Sequence, residues 1–139
     1  MIDFENQTDL SVKIEELKEI LDSLTNKDLE LIIVDNKRIK EINYENRDKN
    51  EATDVLSFPF EQNFPHMPLG SIIISKDFVE EKAKEYNHST NDEIKLLFIH
   101  GLLHLLGYDH EIDNGEHREK EEELIKKFNL PSSLIVRNS

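Results

Sequence analysis

The sequence predicts an α+β domain: a small mixed β-sheet of about four strands packed with helices, one of them central and buried. Three observations predict it. Short β-rich apolar runs at residues 29–34, 53–60 and 69–75 read as strands. The stretches between them repeat apolar residues at three- and four-residue steps, as amphipathic helices do. From Ile94 to Leu106 the chain is apolar nearly all round a helix, a pattern that belongs in a core. The 139 residues contain no repeat and no low-complexity segment, and are enough for a single domain with one core.

Taken in order, residues 2–5 read as a short edge strand. Ser11 caps a first helix, with Ile14, Leu17, Leu21 and Leu24 inward and Glu15, Glu16, Lys18 and Glu19 between them. Thr25-Asn26-Lys27 makes the turn into the buried strand 29–34. A charged helix follows over 36–46, with Ile39 and Ile42 inward, and then a polar loop from Arg47 to Glu51. Pro59 ends the second long strand, because proline cannot donate to a ladder. Residues 61–68, with two prolines and His66, form an irregular loop. Ser75 or Asp77 caps a helix to about Tyr86. Thr90-Asn91-Asp92-Glu93 has the form of a capping box and starts the apolar helix that runs to Leu106. A last helix covers about 114–128 and is ended by Pro131, and 132–139 read as a loose tail. His66, His88 and His117 read as exposed.

Composition narrows the function. Apolar residues make up 37% and charged residues 34%, but the apolar ones are clustered and periodic, which is a globular pattern. There is no cysteine, so neither a disulfide nor a thiolate metal ligand is available; this suits a reducing cytoplasm. The N-terminus is acidic without a long apolar region, so no secretory signal is expected, and no apolar run reaches membrane-spanning length. A formal charge of −13 argues against a protein that coats nucleic acid by bulk attraction. Residues 35–49 alone are slightly positive: Lys37, Arg38, Lys40, Arg47 and Lys49 against Asp35, Glu41, Glu45 and Asp48. They could form a basic lip on an acidic body, although Lys37, Arg38 and Lys40 also fit an ordinary solvated helix face.

The chemistry concentrates in His100-Gly101-Leu102-Leu103-His104-Leu105-Leu106-Gly107-Tyr108-Asp109-His110. His100 and His104 are one helical turn apart on one face, where two imidazoles can grip one ion. Gly107 lets the chain leave the helix through a left-handed residue, and three residues then bring His110 back. Three histidines with a fourth position left to water is a layout of catalytic zinc. A lone histidine on an apolar face is ordinarily a hydrogen-bonded core residue; the full pattern is much rarer by chance. Its spacing is that of the metzincin proteases, His-x3-His-x2-Gly-x2-His. Those carry a glutamate after the first histidine and a Met-turn after the third. Here Gly101 takes the glutamate's place, and the only methionines, Met1 and Met67, lie upstream. The cage of a zinc hydrolase is present without the peptidase apparatus.

The run also resembles the YbeY family of endoribonucleases, the bacterial rRNA maturation factors, whose signature His-Gly-x-Leu-His-Leu-x-Gly-Tyr-Asp-His it fits at every fixed position. Arg47 and Thr53 through Pro59 fit a second pattern of that family, Arg-x5-Thr-Asp/Asn-Val-Leu-Ser-Phe-Pro. One departure is Ser71, where the family usually has aspartate. The resemblance implies a zinc-dependent, single-strand-specific endoribonuclease acting in 16S rRNA 3′-end maturation and ribosome quality control. It implies one zinc per chain on His100, His104 and His110, Arg47 on the scissile phosphate through its planar fork, and Ser57 beside it as a substrate contact. Asp109 would orient a ligand imidazole from behind. Two routes fit these residues: attack by water at the metal, or by the ribose 2′-OH with a base. The partners implied are single-stranded RNA, precursor 16S rRNA and the ribosome or a ribosomal protein, with no membrane. Two other readings compete. One is a metal-dependent peptidase or amide hydrolase. The other is a non-catalytic ribosome-assembly factor whose zinc is structural, with Asp109 or His117 closing the fourth position.

Overall fold

The computed structural model describes residues 1–61, 67–109 and 112–131. The expected loop around His66, the third histidine His110 and the tail 132–139 lie outside the described residues. Four strands form one mixed sheet in the order β1-β2-β4-β3: β1 (Ile2–Asn6), β2 (Leu29–Val34), β3 (Val55–Pro59) and β4 (Gly70–Ser75). β1 pairs parallel with β2 and β2 parallel with β4, while β3 pairs antiparallel with β4 at the other edge. Both central strands need cover on two faces, hence their nearly unbroken apolar runs.

The helices supply that cover unequally. α1 (Ile14–Asp22), α3 (Lys76–Glu85), α4 (Thr90–Leu105) and α5 (Glu116–Lys127) share one cluster with Leu29, Leu31, Ile33, Ile72 and Ile74. α2 (Asn36–Arg47) covers the opposite face, where Ile39 and Ile42 pack on Val34, Leu56 and Ile73. α4 is the hub of the larger core and touches β3, β4, α1, α3 and α5. Leu97, Phe98, Ile99, Leu102 and Leu103 are fully buried, as an all-apolar helix requires.

Several helix ends differ from the sequence expectation. α1 starts at Ile14, with Lys13 at its cap and no side-chain cap bond, so Ser11 does not cap it. The Asn6 side chain instead forms the turn, donating to the Leu10 carbonyl at 2.8 Å and accepting from the Thr8 amide at 2.9 Å, while Leu10 is buried. α4 is capped one residue earlier than expected: Ser89 Oγ accepts the Asp92 amide at 3.0 Å. Glu93, the expected box partner, is turned inward and fully buried. α5 stops before Pro131. Asn129 is left-handed at φ 56°, the Leu130 amide reaches the Ile125 carbonyl at 2.9 Å, and the helix closes in a Schellman turn.

Candidate metal centre

The same kind of turn ends α4, and here the sequence expectation holds. Gly107 has φ 100°, its amide bonds the His104 carbonyl at 3.0 Å, and the Tyr108 amide bonds the Leu103 carbonyl at 3.0 Å. The chain therefore leaves the helix directly after the second histidine. The Asp109 carbonyl then accepts the amides of Ile112 at 3.2 Å and Asp113 at 2.9 Å.

α4 presents His100 and His104 on one face, with ring centres 5.0 Å apart and planes at 72°. A third imidazole meets them from α5. His117 stacks on His100 at 4.9 Å and stands edge-on to His104 at 4.9 Å. The expectation that His117 is an exposed helix residue is wrong: it is 0% exposed. Glu121, one turn further along α5, is equally buried, and its Oε2 lies 3.0 Å from His100 Nδ1 and 3.4 Å from His117 Nε2. His100, His117 and Glu121 together form a cluster that could hold a metal ion, with potential ligand atoms within 4.8 Å of one another. In sequence these two residues lie outside the histidine run. The signal that finds them is the helical stripe His117, Glu121, Leu124, Phe128, one inward face of α5.

The residues fit a divalent cation on two grounds. Two imidazoles bound at about 2.1 Å to one tetrahedral ion stand with ring centres about 5 Å apart, as these do. A fully buried carboxylate beside imidazoles also leaves a negative charge that a cation would offset.

The other expected site residues distribute as follows. Ser57 lies on β3 beneath α4, its Oγ 3.4 Å from the Gly101 carbonyl. Arg47 is the last residue of α2, exposed, and is followed by Asp48 in the left-handed conformation at φ 56°. It thus ends a helix on the face of the sheet away from α4. Ser71 also faces away from α4: it is in register with Glu30 on β2 and donates to Glu30 Oε1 at 2.5 Å. An aspartate at position 71 would therefore share the α2 face, not the histidine face. His88, expected in solvent, is only 8% exposed in its side chain, with Nε2 2.7 Å from the buried Glu93. Lys37, Arg38 and Lys40 are exposed, and Arg38 pairs with Glu41 at 3.1 Å, as a solvated helix face would.

Among the described residues no helix is long and apolar enough to cross a membrane. The profile of the family described as Endoribonuclease YbeY matches residues 2–129. A relative named Endoribonuclease YbeY from Nautilia profundicola is 63% identical over 138 residues, covering 99% of each chain. One of the same name from Aliarcobacter butzleri is 64% identical over 140 residues, covering all of both. A solution structure of a Thermotoga maritima protein superposes with a TM-score of 0.66 at 33% identity, covering 92% of this chain and 89% of that one.

Proposed function

Since the chain belongs to the YbeY endoribonuclease family, whose members cleave RNA, we propose that it is a zinc-dependent, single-strand-specific endoribonuclease of the cytoplasm that matures the 3′ end of precursor 16S rRNA and takes part in ribosome quality control. The observation that carries the metal part of this reading is the pair of α4 imidazoles 5.0 Å apart, backed by the fully buried Glu121. In the proposal His100, His104 and His110 hold one zinc per chain. When bound, such an ion acts as a Lewis acid toward a phosphoryl oxygen and lowers the pKa of water.

The chain's own residues do the rest. The buried α4 fixes the two imidazoles on rigid backbone, and the Gly107 turn ends the helix directly after them. Arg47 binds the scissile phosphate by its fork and offsets the charge that develops there. Ser57 contacts the substrate beside α4, and Asp109 orients an imidazole of the site. Gly101 has no group to take or give a proton, which disfavours the peptidase alternative. The acidic body calls for a partner, the ribosome or a ribosomal protein, to bring it to its RNA.

The test is cleavage of a labelled single-stranded RNA by the purified protein, with and without chelator, beside His104→Ala. The expected result is cutting that both treatments abolish, with zinc content lost in the variant. Retained cutting by metal-free His104→Ala would refute the mechanism. No cutting by the zinc-loaded wild type would favour an assembly factor with structural zinc.

A further inference from the structure

We propose that Glu121 on α5 is a positioning residue for the metal centre: its carboxylate accepts a hydrogen bond from Nδ1–H of His100 and so presents the Nε2 lone pair of that ring to the ion. The inference rests on the reading of His100 as a metal ligand and assigns a task to a residue outside the histidine run. A neutral imidazole has one N–H and one lone pair, and the partner of one nitrogen decides which tautomer the other shows. In the structure Nδ1 of His100 lies 3.0 Å from Glu121 Oε2, at hydrogen-bond distance. Two ligands of one tetrahedral ion at about 2.1 Å each would stand about 3.4 Å apart, so the observed spacing fits a bond to the proton better than an ion held between the two atoms.

Burial strengthens the case. Glu121 is 0% exposed, and the His100 side chain is 13% exposed. A charge-assisted hydrogen bond in such surroundings is short-ranged, directional and little screened. His117, stacked on His100 and edge-on to His104, packs against both rings. Helix α5 is thus a brace for α4: Leu124 joins the core while His117 and Glu121, on the same stripe, reach the histidines. The resulting order, carboxylate to imidazole to ion, is the arrangement by which proteins fix a ligating ring and raise its basicity.

The experiment is zinc affinity by competition with a chromophoric chelator for wild type, Glu121→Gln and Glu121→Ala, with visible spectra of the cobalt-loaded forms. Glutamine nearly matches glutamate in shape and still accepts a hydrogen bond, so it should weaken zinc by about tenfold and alanine by up to about a hundredfold, with the tetrahedral cobalt bands kept. Nitrogen NMR of the metal-free wild type should report neutral His100 as the Nδ1–H tautomer, and metal-free Glu121→Ala should show a mixture of the two tautomers. If the alanine variant does not fold, the glutamine variant decides. Affinity equal to wild type in the glutamine variant overturns the inference alone. Loss of the tetrahedral bands in that variant overturns it as well, in favour of a ligand set that contains Glu121. Wild type that holds no zinc overturns the metal reading itself.

Discussion

Gly101 occupies the place where zinc peptidases carry their glutamate, and packing explains what it does there. A Cβ on Gly101 would meet Ser57 Oγ at 3.0 Å and Ile72 Cγ2 at 3.2 Å, because α4 crosses β3 and β4 at this residue. Two effects oppose each other in Gly101→Ala. Alanine is favoured in a helix by about 1 kcal/mol, while overpacking a tight core costs about 1–3 kcal/mol. The expected net result is destabilisation by about 1 kcal/mol in urea unfolding. Adding Ser57→Ala removes the nearest atom and should recover at least about 0.5 kcal/mol, a coupling that a double-mutant cycle reads. Additive effects would show that the crossing is looser than described. The sequence made His100, His104 and Gly107 legible because their spacing is local and helical. His117 and Glu121 are less so: their helical stripe with Leu124 marks an inward face of α5, but their partners lie on another helix and no spacing rule reaches across a turn. Ser71 was legible as a departure from a pattern, but its orientation followed only from its register with Glu30.

At the scale of elements, periodicity located the helices and strands well and their ends less well. Ile2 and Phe4 alternate with exposed Asp3 and Glu5, so β1 could be read from sequence as a strand with one buried face. The order β1-β2-β4-β3 could not, since strand pairing depends on contacts distant in the chain. The start of α4 shows how a local motif misleads by one residue. Thr90-Asn91-Asp92-Glu93 has the form of a capping box, yet Glu93 pairs with His88 inside the protein and cannot also reach a cap. Ser89 takes over, with Asp92 at the third helical position. Ser89→Ala should therefore cost about 1 kcal/mol, the usual value of a lost N-cap. Thr90→Ala, away from any such feature, should stay within about 0.5 kcal/mol. Thermal unfolding of the two variants checks this, and the reverse order would return the cap to Thr90.

For the whole molecule, charge and substrate oppose each other. A body of net charge −13 repels a polyanion, so attraction must come from few and local contacts. The described structure separates its parts accordingly. The imidazoles sit on α4 on one face of the sheet, while Lys37, Arg38 and Lys40 belong to α2, which covers the other; Arg47 and Lys49 are exposed where that helix ends. Arg38 is already paired with Glu41, which lowers its value to RNA. Salt then acts in two opposite directions. It screens the general repulsion, which favours binding, and it competes with each phosphate contact, which disfavours it. A single strand loses about 0.7 in the slope of log affinity against log salt for each phosphate contact. If Arg47 and Lys49 are the main contacts, the slope between about 50 and 200 mM salt should be no steeper than about −1.4. Arg47→Ala should then flatten it by about 0.7 and leave zinc content unchanged, because the arginine and the histidines sit on separate elements. Fluorescence anisotropy with a labelled single strand measures both quantities. A slope near −4 or steeper would mean about six contacts, more than this lip offers, and would move the RNA surface elsewhere on the protein.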